Sequence, residues 1–175
     1  MRTQNLSPGR VHIQASYGVL NLPPQPCAWA RAGIALYGVY SSLSPVQRRL
    51  DLKPVLSLRA RVASVRPLRP GERAGYGLAF HARQETRLAV VTIGYADGLH
   101  RALSNQIEVL TPYGRAKQVG RICMDMCMID VTDLPQVKSG DEVEIFGEHI
   151  LCADDAALCD TIPYELMCAV SKRVP

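Results

Sequence analysis

The chain has 175 residues, 47% of them hydrophobic and 21% charged, with a formal net charge of +4. That is enough apolar material for a sizeable core and too much for a disordered chain. There is no run of eighteen apolar residues, and residues 1–5 lack the charged-then-apolar pattern of a secretory signal, so the sequence reads as cytoplasmic with no membrane segment.

Residues 1 to about 50 hold a short apolar run at 11–13, a break at Leu20-Asn21-Leu22-Pro23-Pro24 and a compact stretch from Gly33 to Gly38. These read as strand, helix and strand pieces joined by tight turns. From Leu52 the pattern turns to alternation. Leu56, Leu58, Ala60 and Val62 share one face of an extended segment and Ser57, Arg59 and Arg61 the other, as in a half-buried strand. Further strands are expected at 87–93, 107–110, 121–131 and 142–146, between turn signals at Pro70-Gly71, Asp97-Gly98, Pro112-Tyr113-Gly114 and Ser139-Gly140-Asp141. Met124, Met126 and Met128 recur at strand spacing and read as a core-facing stripe. Short helices are expected at 154–158 and 164–170, separated by Thr161-Ile162-Pro163. The fold class is mainly β, with a division between residues 51 and 52 where the hydrophobic period changes.

The cysteines Cys27, Cys123, Cys127, Cys152, Cys159 and Cys168 do not read as a disulfide framework in a chain with this much core. Cys123 and Cys127 have no histidine nearby to complete a zinc site, so no metal is expected. The cations Arg48, Arg49, Arg59, Arg61, Arg66, Arg69 and Arg73 are scattered and not interleaved with aromatics, which speaks against nucleic acid.

Four stretches together carry a specific resemblance: Arg31-Ala32-Gly33-Ile34-Ala35-Leu36-Tyr37-Gly38, Gly75-Tyr76-Gly77, Ile93-Gly94-Tyr95-Ala96-Asp97-Gly98 and Gly120-Arg121-Ile122-Cys123-Met124-Asp125-Met126. In this order and spacing they resemble alanine racemase, and the similarity runs on through Met128-Ile129-Asp130-Val131-Thr132 and Gly140-Asp141-Glu142-Val143 to Tyr164-Glu165 and Arg173-Val174-Pro175. The family has a (β/α)8 barrel that binds pyridoxal phosphate and a C-terminal β domain that reaches into the partner subunit's site. The resemblance therefore implies that residues 1–51 are a fragment of the barrel and 52–175 the C-terminal β domain. It also implies a homodimer that interconverts L- and D-alanine by two-base proton transfer, supplying D-alanine for peptidoglycan. A barrel takes roughly 250 residues, and only about fifty precede the β domain. None of Lys53, Lys117, Lys138 and Lys172 stands in the context of the family's Schiff-base lysine, so the chain alone is expected not to racemise alanine.

The resemblance assigns roles residue by residue. Tyr76 is the catalytic phenol on one face of the substrate. An unperturbed tyrosine titrates near ~10, so this role requires nearby positive charge or hydrogen bonds that favour the phenolate. Without the resemblance, Tyr76 reads as a turn tyrosine with its ring packed on the sheet. Arg31 faces the cofactor's pyridine nitrogen, and a guanidinium there donates only, which limits electron withdrawal and with it side reactions. His12 supports that arginine; by itself it reads as a core histidine beside a strand. Ser16, with the N–H groups of Gly33 and Ile34, forms the phosphate cradle, and Tyr164 binds the phosphate from the other side. The family often has Asn where this chain has Ala15, which removes one polar contact. Tyr95 and Asp125 line the substrate's path, the Met124 N–H binds its carboxylate, and Arg101, Arg121 and Ile162 lie in an outer corridor.

Two alternatives remain open. The stretch from His12 to Gly18 also resembles the serine/alanine racemases of glycopeptide resistance, although Tyr164 favours alanine. A β-barrel interaction or RNA-binding module would instead show a basic face with stacked aromatics.

Overall fold

The computed structural model describes residues 7, 9–26, 29–41 and 47–175. Cys27 and residues 1–5 lie outside the described residues. The chain divides into two compact units, Met1–Val55 and Leu56–Pro175.

In the first unit, β1 (His12–Ala15) pairs in parallel with β2 (Trp29–Arg31), His12 opposite Trp29 and Ala15 opposite Arg31. Parallel neighbours need a crossover of about a dozen residues or more, and α1 (Ser16–Asn21) lies within it. The helix stops where Leu22 precedes Pro23, because the proline ring disfavours helical backbone at the residue before it; Leu22 is extended at φ −109° and ψ 156°. The strand expected at the apolar run 11–13 is present as β1, shifted to end at Ala15, with Val11 and Ile13 exposed. The stretch from Gly33 to Gly38, by contrast, is not a strand. Residues Ile34–Tyr37 form a 3-10 turn closed by Gly38 at φ 77°. There a Cβ would stand 1.8 Å from the Lys53 carbonyl oxygen, so only glycine fits the reversal.

The second unit is mainly β, as expected. It holds β3 (Leu58–Leu68), a small hairpin of β4 (Arg73–Ala74) with β5 (Phe80–His81), then β6 (Thr86–Val91), β7 (Glu108–Thr111), β8 (Gly114–Val119), β9 (Cys127–Asp130) and β10 (Glu142–Phe146). Six of these close an antiparallel barrel in the order β10-β3-β6-β9-β8-β7, with Glu144 of β10 opposite Leu110 of β7 at the seam. Closure leaves the barrel no open edge. The period of two in β3 decides its faces. Leu58 and Val62 point into the core, while Arg59 and Arg61 point out and pair with Glu142 at 2.9 and 3.7 Å. Val91, Val109, Ile129, Val143 and Ile145 are fully buried, each contributing roughly 1.5–3 kcal/mol by leaving water.

The strand expected over 121–131 is only Cys127–Asp130, and Met124 and Met126 are not core residues. Gly120, at φ 72°, turns the chain out of β8, and the Cys123 N–H then donates to the Met126 carbonyl at 2.9 Å, closing a loop that breaks the period of two. Ile122, Cys127, Ile129 and Val131 fill the core in their place, leaving Met124 and Met126 about half exposed. Past the barrel, α2 (Cys152–Leu158) and α3 (Pro163–Ala169) flank the Thr161-Ile162-Pro163 break, with Pro163 in the first turn where its missing N–H costs nothing. Among the described residues, no helix is long and apolar enough to cross a membrane.

Candidate functional site

Tyr76 sits on a single turn of 3-10 helix, Tyr76–Leu78, between two glycines in the left-handed region, Gly75 at φ 78° and Gly77 at φ 68°. A Cβ on Gly75 would lie 2.8 Å from Met128 Cε, and one on Gly77 would lie 3.3 Å from Arg121 Nη1. The glycines thus let the loop lie tight on β9 and on Arg121. The result is a tyrosine 74% exposed, not a ring laid down on the sheet.

Tyr76 shares a cleft of about 500 Å³ with Tyr95, Met124 and Asp125, alongside the cations Arg101 and Arg121. Its far wall is built by two loops in backbone contact. The Tyr95 N–H donates to the Cys123 carbonyl and the Ala96 N–H to the Met124 carbonyl, both at 3.0 Å. Gly94 permits this approach, since a Cβ there would stand 2.2 Å from the Cys123 oxygen. The Met124 N–H itself meets no acceptor among the described residues, which leaves it free for a ligand oxygen. Ile162 and Tyr164 do not line this cleft; both lie at the start of α3, where Tyr164 is 37% exposed.

The first unit gathers a second set of residues just beyond the carboxyl ends of its parallel strands, the end at which barrels of parallel strands bind phosphate. Ser16 follows β1, Arg31 ends β2, and Gly33 and Ile34 open the turn that follows. The buried Ser16 Oγ accepts the Gly33 N–H at 2.9 Å and the Ala35 N–H at 3.3 Å. The Gly33 N–H expected to face a phosphate is therefore turned onto the serine, whose hydroxyl proton remains available to an outside acceptor. The Ser16 hydroxyl proton and the Ile34 N–H, which meets no acceptor among the described residues, are the donors left for an anion. Arg31 donates to the Ile13 carbonyl at 3.4 Å, and His12 stands exposed on β1, not in a core.

Titrating groups away from the cleft have definite environments. Burial alone would raise the Glu144 carboxyl, but the N–H groups of His149 and Ile150 and the His149 ring bind it and hold it below its usual value. Asp155 is 4% exposed, its Oδ2 has no partner among the described residues, and burial, then Asp154, pushes its carboxyl up to about 7. Burial also pushes the thiols of Cys127 and Cys152 up to about 12, too high for a reactive thiolate near neutrality. Arg173, given no role by sequence reasoning, reaches two carboxylates beside the cleft, those of Asp97 and Asp125. Its position at the end of a motif was the one available signal.

Residues 55–175 match the family model described as "Alanine racemase, C-terminal domain". The chain is 42% identical over 179 residues to alanine racemase 1 of Clostridium acetobutylicum, covering all of this chain and 46% of that protein. It is 47% identical over 165 residues to the alanine racemase of Desulfovibrio desulfuricans, covering 94% of this chain and 44% of the relative. Among solved structures, the biosynthetic alanine racemase of Pseudomonas aeruginosa superposes with a TM-score of 0.85 at 36% identity, over 99% of this chain and 49% of that one. The chain thus spans about half the length of the curated relatives it matches.

Proposed function

The chain belongs to the alanine racemase family, and on that premise we propose that it forms one side of the active site of an enzyme interconverting L- and D-alanine. The observation that carries this reading is the shared cleft: an exposed phenol on a glycine loop lines it together with two arginines and Met124, whose N–H meets no acceptor among the described residues. Racemisation needs an acid/base group on each face of the substrate's α-carbon. Tyr76 supplies one, its Oη taking the α-proton or returning it. The Met124 N–H holds the carboxylate that fixes which face Tyr76 meets, and Tyr95 and Asp125 narrow the approach.

Pyridoxal phosphate, when bound, supplies the electron sink that makes the α-hydrogen acidic. The Ser16 hydroxyl and the Ile34 N–H would hold its phosphate on the turn that Gly33 opens, Arg31 would face its ring nitrogen, and His12 would support Arg31. Unit Met1–Val55 is read as the last part of a (β/α)8 barrel. Its parallel strand pair and the exposed Ile13, Trp29 and Leu36 support this, because such surfaces are ordinarily covered by neighbouring barrel elements. The complete enzyme would be a cytoplasmic homodimer supplying D-alanine for peptidoglycan.

The second reading, an RNA-binding or interaction module, finds no support in a basic aromatic face: Arg59 and Arg61 are paired with Glu142, and Tyr76 and Tyr95 line one cleft. The test is α-deuterium exchange from D- and from L-alanine in the complete enzyme and its Tyr76→Phe variant. The expected result is a loss of about 10²–10⁴ in rate, the range of a single general acid/base, falling mainly on one enantiomer's proton transfer. Equal exchange in both proteins would sink the assignment.

A further inference from the structure

We propose that Arg173 is a positioning residue for the cleft, a guanidinium clamp that fixes the loop carrying Tyr95 against the loop carrying Met124 and Asp125. The proposal rests on the racemase reading for its functional consequence, and on geometry alone for the clamp.

Arg173 Nη2 donates to Asp125 Oδ1 at 2.6 Å, and its Nε stands 2.9 Å from Asp97 Oδ1 as an ion pair. The two nitrogens belong to one rigid plane, so a single guanidinium ties the two carboxylates to each other. Asp97 passes the constraint on. Its Oδ2 accepts the Gly94 N–H at 2.9 Å, and its own N–H donates to the Gly94 carbonyl at 3.0 Å, so Tyr95 sits inside a turn closed from both ends. At the other carboxylate, Asp125 directly follows Met124, whose carbonyl takes the Ala96 N–H. One side chain therefore joins the two loops of the far wall from outside the cleft.

The clamp is itself anchored. The Ser171 N–H donates to the Asp97 carbonyl at 3.1 Å, and Gly98, at φ 116°, lies so close to the chain at Ala169 that a Cβ would stand 2.7 Å from its carbonyl oxygen. The turn from Gly94 to Gly98 is held between the methionine loop on one side and residues 169–173 on the other. The Asp125 hydrogen bond, followed by the charge of Asp97, raises Arg173 further above its already high value, so it stays cationic at any working pH.

Magnitude separates this role from a stabilising one. The Arg173–Asp125 pair is half exposed on both sides, at 51% and 50%, a setting in which an ion pair contributes little to fold stability, and the buried Asp97 carboxylate keeps the Gly94 N–H as a partner without Arg173. What the clamp governs is where the Met124 N–H and the Tyr95 ring stand. A lysine would keep the charge but not the fork, since an ammonium presents no fixed plane to two carboxylates.

The test uses the assembled enzyme, this chain together with the rest of its barrel, as wild type, Arg173→Met, Arg173→Lys, Asp125→Asn and the double variant Arg173→Met/Asp125→Asn. The expected result for Arg173→Met is a KM for alanine raised about tenfold with kcat changed much less, the signature of lost ground-state binding. Arg173→Lys should recover only part of this, and the double variant should fall short of the product of the single effects. Hydrogen exchange of the 94–98 and 123–126 backbone should quicken in Arg173→Met while the urea midpoint hardly moves. Unchanged exchange and unchanged KM would overturn the clamp; so would full recovery by lysine, or faster exchange with no change in KM. Asp125→Asn keeps the question open to measurement should Arg173→Met fail to fold. If the wild type has no racemase activity, the racemase reading fails, while the exchange data still decide whether the clamp exists.

Discussion

Replacing Asp155 by Asn should make the protein more stable at pH 8 and leave it nearly unchanged at pH 4. Asp155 is 4% exposed on α2, its Oδ2 has no partner among the described residues, and its carboxyl is pushed from an ordinary 3.8 up to about 7 by burial and Asp154. The folded state therefore holds a proton that the unfolded state has released across that interval. Stability contributed by this group is fully present below pH 3.8 and is lost as pH rises to about 7. At about 1.4 kcal/mol per unit, the loss between pH 5 and 7 is roughly 3 kcal/mol as an upper bound, and relaxation around the site should leave about half of that. Asn is nearly isosteric and does not titrate, so the difference between variant and wild type isolates this group from every other ionisation. Glu144 works in the opposite sense. Its lowered carboxyl contributes stability that is lost only as pH falls below its usual 4.5, outside the window from pH 5 to 8. Urea denaturation of both proteins at pH 5, 6, 7 and 8 reads the effect directly. A gap in unfolding free energy that stays constant over this range would show that Asp155 is ionised and compensated in the folded protein.

Gly94→Ala should cost roughly 1–3 kcal/mol of stability and open the contact between the two cleft loops, because the new Cβ falls 2.2 Å from backbone at Cys123. Gly71→Ala is the control, with φ 90° but open space around it, and should cost less; urea midpoints of the two variants rank them. Tyr164→Asn in the complete enzyme should raise kcat/KM for serine relative to alanine, since a smaller side chain makes room for the hydroxymethyl group; competition assays with both amino acids check this. The 175-residue chain mixed with pyridoxal phosphate should exchange the α-hydrogen of alanine no faster than free cofactor, as judged by deuterium incorporation.

Local chemistry made much of the second unit legible. The alternation of β3 assigns its faces, β10 occupies the expected residues 142–146, and both terminal helices stand on either side of the Thr161-Ile162-Pro163 break. β8 was invisible because its inward positions are Ala116 and Gln118, which show no apolar alternation. Gln118 is tolerated at 2% exposure because its oxygen takes the Asn105 N–H and its amide donates to the carbonyls of Val119 and Gly120. Such compensation depends on residues outside the strand, and periodicity cannot register it. The methionine stripe failed for the complementary reason: residues 121–131 keep an apolar composition through a loop that the Tyr95 and Ala96 N–H groups, from far along the chain, hold by the Cys123 and Met124 carbonyls.

The site divides along the same line. The role of Tyr76 came from the resemblance, and the residues themselves mark only the shape of its loop: Gly75 and Gly77 flank it at φ 78° and 68°, backbone that other residues rarely adopt. Tyr95 likewise lies between Gly94 and Gly98, each pressed against backbone from a different part of the chain. Glycines at positions where a Cβ would collide leave a mark in the sequence, because no other residue can stand there. Charges leave none. Arg173 meets Asp97 and Asp125 from far along the chain, and itself stands at a half-exposed position where arginine is ordinary and no spacing rule selects it. The shape of the two tyrosine loops was therefore readable through the backbone constraint on their glycines, whereas the side chain that joins Asp97 to Asp125 became visible only once the fold had brought residues 97, 125 and 173 together.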